Sequence, residues 1–509
     1  MTAVARFAFL AKRGMRHMLI RQVFATAVSF GGSVILARVL NPSEFGTYAI
    51  ATFIVNIFMV FGDLGLGASF IQASKSPSDK FFRISFTIQL AMATTVVAVT
   101  WVVAPWVIGL YHSVQTETVW LVRVMSLLLY LPVLRSASTI QLERRLDYRP
   151  IAWSEGVGIS LYQIIATICA LKGMGVWSFV LATLLSGLVS LFIVYRSSPW
   201  AIGLCFDWIE IRQVLNQGIS FQSVAILDAL SQWATPAIAG TLVGPSAVGY
   251  LGMALANAKR PLLLAESVMR VSFPHFSRLQ EEIEKLHQAV NDYIVALLWV
   301  MFGWVGLLWS CSSPMVTLIY SAKWLPATPA LVIFALALPM DIIVWTVGMS
   351  LRATNRNWTA VKIFAVRTTL NLGLAALLVP RFGFLGIPVA YVVANTVCAL
   401  LLLYNFAPGF LRRITGNASW IISCVLLAYL SGRLVTDLAA RSETMVFQQF
   451  IAGAVPFGAV YLLCSLALAP AYYRHKLSEL LRPLFSRRRA PMFTITPRAD
   501  EFGCAVSED

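Results

Sequence analysis

Asn41-Pro42-Ser43-Glu44-Phe45-Gly46, with Tyr48 two residues further on, marks the turn between one long apolar stretch and the next. The same punctuation returns as Gly244-Pro245-Ser246-Ala247-Val248-Gly249, an offset of 203 residues, with Tyr250 directly after it. Proline cannot continue a helix but starts one well, so each copy ends one helix and opens another. The offset of 203 also maps Asp63 onto Glu266 and Ser69-Phe70 onto Ser272-Phe273, and an offset of 208 maps Gly175 and Ala182 onto Gly383 and Ala390. Each match is short; their order and near-constant spacing make them an internal repeat.

Outward from these turns the chain is a series of apolar stretches. In the first half they lie near 18–40, 45–71, 84–110, 119–140, 151–171 and 175–195. In the second they lie near 217–241, 249–272, 291–312, 328–350, 362–379 and 383–404, and two more follow near 419–440 and 447–470. A bilayer-spanning helix needs about 20 apolar residues. The expected fold is therefore an all-α integral membrane protein of about 14 transmembrane helices: two six-helix lobes plus two C-terminal helices. The segments are a basic N-terminus (1–17), an N-lobe (18–195), an inter-lobe linker (196–216), a C-lobe (217–404), the last two helices (419–470) and a basic tail (471–509). Six spans return the chain to its starting side, so both lobes start on the same face. The repeat is then parallel, with its axis along the membrane normal and a substrate path between the lobes.

Composition agrees. Of 509 residues 58% are hydrophobic and 12% charged, about half the charge of a soluble domain. With the N-terminus cytoplasmic, 25 Lys and Arg fall in cytoplasmic segments and five (Lys172, Lys323, Arg381, Arg433, Arg441) on the opposite side. That is the positive-inside asymmetry, and it places both termini in the cytoplasm. The net charge of +16 points to anionic membrane lipid rather than nucleic acid. Seven scattered cysteines without a CxxC pair exclude a disulfide framework or zinc site. A cleavable signal peptide is not expected, because the first apolar run is too long and carries Arg21 and Arg38.

Enzyme signatures are missing. Gly62-x-x-Gly65-x-Gly67 reverses the dinucleotide order, and Gly244 to Gly249 continues Tyr250-Leu251 instead of Lys-Ser/Thr. The five histidines are dispersed, with no HExxH. No loop is long enough for a nucleotide-binding domain. Neither catalysis nor a cofactor or metal is expected.

The chemistry instead lies in charges within the spans. Nine are basic (Arg21, Arg38, Arg123, Arg135, Lys259, Arg260, Arg270, Lys362, Arg367) and five acidic (Asp63, Glu155, Asp228, Glu266, Asp341). A charge at the membrane centre costs at least about 2.5–3.5 kcal/mol, so these groups should face a wet cavity or one another. The basic surplus asks for an anionic ligand, and an arginine fork suits pyrophosphate. On a continuous helix Lys259, Glu266 and Arg270 fall within about 20° of one stripe, with Arg260 about 100° away. Lys259, Arg270, Arg260, Arg38 and Arg21 are the candidate cavity cations. Arg135, Arg21 and Arg367 also suit snorkelling to an interface, and Arg38 suits a hairpin anchor. Asp63, level with Arg21, and Glu266, four residues before Arg270, are gate candidates; Asp228 and Asp341 are candidate proton or sodium sites.

The motifs carry a family likeness. Leu36-Ala37-Arg38-Val39-Leu40-Asn41-Pro42-Ser43-Glu44-Phe45-Gly46, followed by Gly62-Asp63-Leu64-Gly65, resembles the N-terminal signature of Wzx-type bacterial polysaccharide flippases. These form the polysaccharide-transporter branch of the multidrug/oligosaccharidyl-lipid/polysaccharide (MOP) superfamily. Gly249-Tyr250, Val271-Ser272-Phe273-Pro274 with the charged stretch after it, and Lys323-Trp324-Leu325-Pro326 extend the resemblance over roughly 15–405. It implies translocation of an undecaprenyl-pyrophosphate-linked oligosaccharide from the inner to the outer leaflet of a bacterial inner membrane. It also implies a polysaccharide polymerase and glycosyltransferases as partners; a monomer is expected. The basic tail departs from the pattern. Two competitors are a drug or cation exporter of the same superfamily, which calls for an acid-rich cavity, and a membrane polymerase of the same pathway, which calls for a long outer loop.

Overall fold

The computed structural model describes residues 24–62, 79–111, 116–145, 147–200, 203–207, 236–263, 265, 276, 279, 281–354, 356–441 and 445–475. All regular structure among these residues is helical. In the first half α1 is Phe24–Val39, α2 Pro42–Gly62 and α3 Asp79–Gly109. A 3-10 turn joins α4 (Thr118–Ser126) to α5 (Tyr130–Arg144), and α6 (Arg149–Leu171) and α7 (Trp177–Ser197) form a hairpin. The second half opens on α8, residues 236–242, and α9, Pro245–Ala258. It continues with α10 (Ile283–Ile319), α11 (Thr328–Leu336), α12 (Leu338–Ala353), α13 (Asn357–Phe382) and α14 (Gly386–Phe406). The last two helices are α15 (Phe410–Arg441) and α16 (Val446–Leu468).

Nine segments among the described residues are long and apolar enough to cross a membrane, one of them the α13–α14 hairpin. The chain is a multi-pass membrane protein. Its outward side chains suit lipid: Phe192 is 69% and Leu463 66% exposed. The expected span at 217–241 lies outside the described residues up to 235.

The repeated turns fold as the residues dictate. Pro42 and Pro245 each occupy the first helical turn, where a missing N–H costs nothing. The Glu44 carboxylate accepts the Asn41 N–H at 2.6 Å, a substitute for the helix's own bond. In the second copy Gly244 takes a positive φ of 114°, open to glycine without steric cost. Gly175 and Gly383, matched by offset, both have positive φ and stand at the α6–α7 and α13–α14 turns.

The two repeat copies pack on each other. A Cβ at Gly46 would overlap the Pro245 carbonyl oxygen, and a Cβ at Gly249 would overlap the Pro42 carbonyl oxygen. This reciprocity is that of a two-fold relation between α2 and α9. One buried core crosses the halves there, joining Ile50 and Ile54 to Leu251, Trp324 and Leu331. A second core joins α10, α12 and α14 to the last two helices through Phe406, Ile421, Cys424 and Phe457. Gly306, against which Phe457 lies, lets α16 approach α10.

Candidate functional site

The predicted helix over 249–272 stops at Ala258, and Lys259 is its C-cap. Pro261 explains the break: it lacks an N–H and clashes with the Asn257 carbonyl, while disfavouring helix at Arg260. The helix is therefore interrupted at 259–261, and helix resumes at 262. Arg270, Glu266, Arg21, Asp63 and Asp228 lie outside the described residues.

The break sends the two adjacent cations in different directions. Lys259 turns into the second half, its Nζ 4.7 Å from the centroid of the Tyr391 ring. The Tyr391 hydroxyl donates to Asp341, 3.2 and 3.3 Å from its two oxygens, and Asp341 is 3% exposed. Lys259 and Arg367 are the cations whose charge reaches that carboxylate. Asp341 is thus held inside the helix bundle by the tyrosine hydroxyl, with the charges of Lys259 and Arg367 nearby. Leaving a buried acceptor without its donor costs about 1–3 kcal/mol. Tyr391→Phe is expected to destabilise the purified protein by about 1–3 kcal/mol, read as a lower melting temperature, and a wild-type melting curve would refute the bond.

Arg260 turns instead towards the first half. Its Nε donates to Asn257 Oδ1 at 2.9 Å and its Nη2 to the Tyr320 hydroxyl at 3.2 Å. Tyr320 in turn donates to Asn257 Oδ1 at 2.7 Å, and the guanidinium lies 4.0 Å over the Phe30 ring. Every one of these partners is uncharged, so the arginine is oriented without losing its charge to an ion pair. It lines a cavity of about 500 Å³ with Ser29, Ser33 and Phe30 of α1 and Glu155 of α6. A ligand pocket typically has about 300–1,000 Å³. Ser29, Glu155 and Ile159 also form a wall of a second cavity, of about 520 Å³, that runs into the first half past Arg135, Tyr162 and Gln163.

Arg38, a candidate both for a cavity cation and for a hairpin anchor, binds the end of a helix in the second half. Its guanidinium donates to the Leu318 and Ile319 carbonyls, the Ile319 bond at 2.9 Å, at the end of α10 where carbonyls lack helical donors. Lys323 Nζ returns a bond to the Arg38 carbonyl at 2.8 Å, and Trp324 Nε1 donates to the Ala37 carbonyl at 2.8 Å. Phe45 meets the Trp324 ring edge-on at 5.2 Å. With the Gly46–Gly249 crossing, these bonds clamp the two halves together at the repeated turns. Arg123 is likewise structural, 5.0 Å from the Trp120 ring and donating to the Trp101 carbonyl at 3.0 Å. Arg135, expected to snorkel, lines the second cavity. Sequence reading missed the Asn257–Tyr320 cradle, whose partners are 63 residues apart, and passed over Pro261, the visible sign of the break.

The family of polysaccharide biosynthesis proteins matches residues 35–329, more than half of the chain. The chain belongs to this family. Among its relatives, the succinoglycan biosynthesis transport protein ExoT of Rhizobium meliloti (strain 1021) is 27% identical over 308 residues, 60% of this chain and 61% of that protein. The chain thus spans about three fifths of that relative's length. The lipopolysaccharide biosynthesis protein WzxC of Escherichia coli (strain K12) is 19% identical over 429 residues, 82% of this chain and 85% of that protein. In structure the chain is similar to the lipid II flippase MurJ in its inward closed conformation. The TM-score is 0.71 at 18% identity, over 90% of this chain and 99% of that one. The fold is that of MurJ. The relatives named for a function belong to transport and biosynthesis of polysaccharide; the resemblance read from residues 36–46 and 323–326 holds.

Proposed function

We propose that this family member flips an undecaprenyl-pyrophosphate-linked oligosaccharide from the inner to the outer leaflet of a bacterial inner membrane. The observation that carries the reading is Arg260, aimed into a cavity between the halves by uncharged partners. Two of its five N–H donors are engaged, and a pyrophosphate oxygen pair suits the rest of the fork. The membership in a polysaccharide biosynthesis family supplies the glycan.

With both termini cytoplasmic, the turns at Pro42 and Pro245 face outward, and the clamp around Gly46, Gly249, Arg38 and Trp324 closes the outer end. The two six-helix lobes then rock about the cavity, and the clamp opens as substrate leaves. Asp341 is the candidate for proton or sodium coupling, since a carboxylate beside Lys259 changes its partners when it gains a proton or an ion. Polymerase and glycosyltransferases act after and before the flip.

Deletion of the gene tests this. Cells without the protein are expected to accumulate lipid-linked repeat units on the cytoplasmic face and to lose surface polymer. Accumulation of flipped but unpolymerised units would establish the polymerase reading instead.

A further inference from the structure

One helix end serves both the clamp and the arginine cradle. The last turn of α10 gives its Leu318 and Ile319 carbonyls to Arg38. Tyr320, the next residue, donates its hydroxyl to Asn257 and accepts from Arg260. A movement of this end therefore reaches Arg38 and Arg260 together.

α10 has a joint below that end. Cys311 is non-helical, with φ −140° and ψ 29°, and Pro314 stands three residues later. Pro314 offers no N–H to the Ser310 carbonyl, and its ring clashes with that carbonyl. The side chains at the joint bond back along the helix: Ser310 Oγ donates to the Gly306 carbonyl at 2.9 Å and Cys311 Sγ to the Leu307 carbonyl at 3.1 Å.

Up to the joint, α10 is bolted to the last two helices and the residues after them. Asn291 donates to the Tyr473 hydroxyl at 3.0 Å, Trp299 to Ser465 Oγ at 2.9 Å and Tyr461 to the Trp299 carbonyl at 2.6 Å. A Cβ at Gly432 of α15 would lie 3.0 Å from Ser310 Oγ, and one at Gly453 of α16 3.0 Å from Cys311 Cβ. Both helices thus close on the joint itself. Beyond it Met315 and Val316 are buried in the core that crosses the halves.

We propose that α10 is a hinged lever that couples the clamp to Arg260. The part up to Cys311 stays fixed on α15 and α16. Residues 312–320 tilt when the clamp opens and draw the Tyr320 hydroxyl out of the cradle, so that Arg260 loses its orientation and releases the pyrophosphate. Eight residues of helix make an arm of about 12 Å, and a tilt of about 20° moves its tip about 4 Å. That is more than a hydrogen bond tolerates. The lever rests on the flippase reading and adds to it a link between the two ends of the path.

The test uses the full chain in lipid nanodiscs, in a background without native cysteines where Cys311→Ser keeps a donor for the Leu307 carbonyl. Spin labels at 317 and 434 report the lever, and labels at 296 and 426 report the fixed part. Arg38→Ala, which releases the clamp, is expected to shift the first distance by about 4 Å and leave the second unchanged. Pro314→Ala gives the Ser310 carbonyl its donor back and is expected to abolish the shift, whereas Pro314→Gly, a poor helix former, keeps it. A first distance that ignores Arg38→Ala, or a shift that survives Pro314→Ala, overturns the hinge. Binding of undecaprenyl pyrophosphate tests the coupling. Arg38→Ala and Tyr320→Phe are each expected to weaken it roughly 5-fold, and the double variant no more than Tyr320→Phe alone. Effects that multiply overturn the link to Arg260. Wild-type protein that does not bind this lipid overturns the flippase reading, while the spin labels still decide the hinge.

Discussion

Gly46→Val and Gly249→Val are each expected to reduce polysaccharide export at least roughly 10-fold while the protein still inserts in the membrane. At both positions the added atoms meet a carbonyl oxygen of the opposite repeat, not the tip of a side chain that swings aside. The two helices must separate. Overpacking of this kind typically costs about 1–3 kcal/mol. Applied to one side of a two-state equilibrium, that shifts the populations roughly 5- to 150-fold. Because the overlap exists only when the halves are clamped, the variants are driven towards the state open at the turns. A cysteine placed at Ala247, in a background without native cysteines, is therefore expected to react faster with an impermeant maleimide added from outside. Gly458→Val is the control, since a Cβ there meets nothing within 4 Å. Wild-type export and labelling in both variants would remove the clamp from the mechanism.

Arg260→Gln is expected to have a comparable effect for a different reason. It removes the charge that the Asn257–Tyr320 cradle holds at the cavity. Hydrogen bonds to charged groups are worth about 1.5–3 kcal/mol, so affinity for undecaprenyl pyrophosphate should fall roughly 10- to 100-fold. Arg260→Lys keeps the charge but loses the planar fork and its fixed donors, and should recover only part of the affinity. Lys259→Ala, one residue away, is expected to leave sugar-free lipid binding intact, because its ammonium packs on Tyr391 inside the second half. If Lys259→Ala abolishes that binding and Arg260→Gln does not, the assignment is reversed.

These expectations differ from those of the sequence for one local reason. Reading 249–272 as an unbroken helix put Lys259 on the working stripe and turned Arg260 away, yet the helix ends at Ala258. Pro261 stood in the sequence and had the power to stop the helix; the apolar run around it outweighed it in the reading. Arg38 is similar. Its charge inside an apolar stretch was visible, but the carbonyls it caps belong to α10, some 280 residues away. Whether a buried cation faces a cavity, a helix end or an aromatic ring depends on neighbours that no local pattern encodes.

The repeat, the succession of apolar helices, the prolines that open α2 and α9 and the glycine turns of the two hairpins were all legible from residue order. Each follows from a rule acting within a few residues, such as the missing N–H of proline or the length needed to cross a bilayer. The family signature was legible for the same reason, being a run of adjacent residues. Folding in three dimensions decided the rest: that Gly46 packs on Pro245 and Gly249 on Pro42, that Arg38 and Trp324 bond to carbonyls of the opposite half, and that Arg260 and Arg135 line neighbouring cavities. Those outcomes belong to contacts between distant helices, where packing and desolvation are settled only when the whole bundle closes.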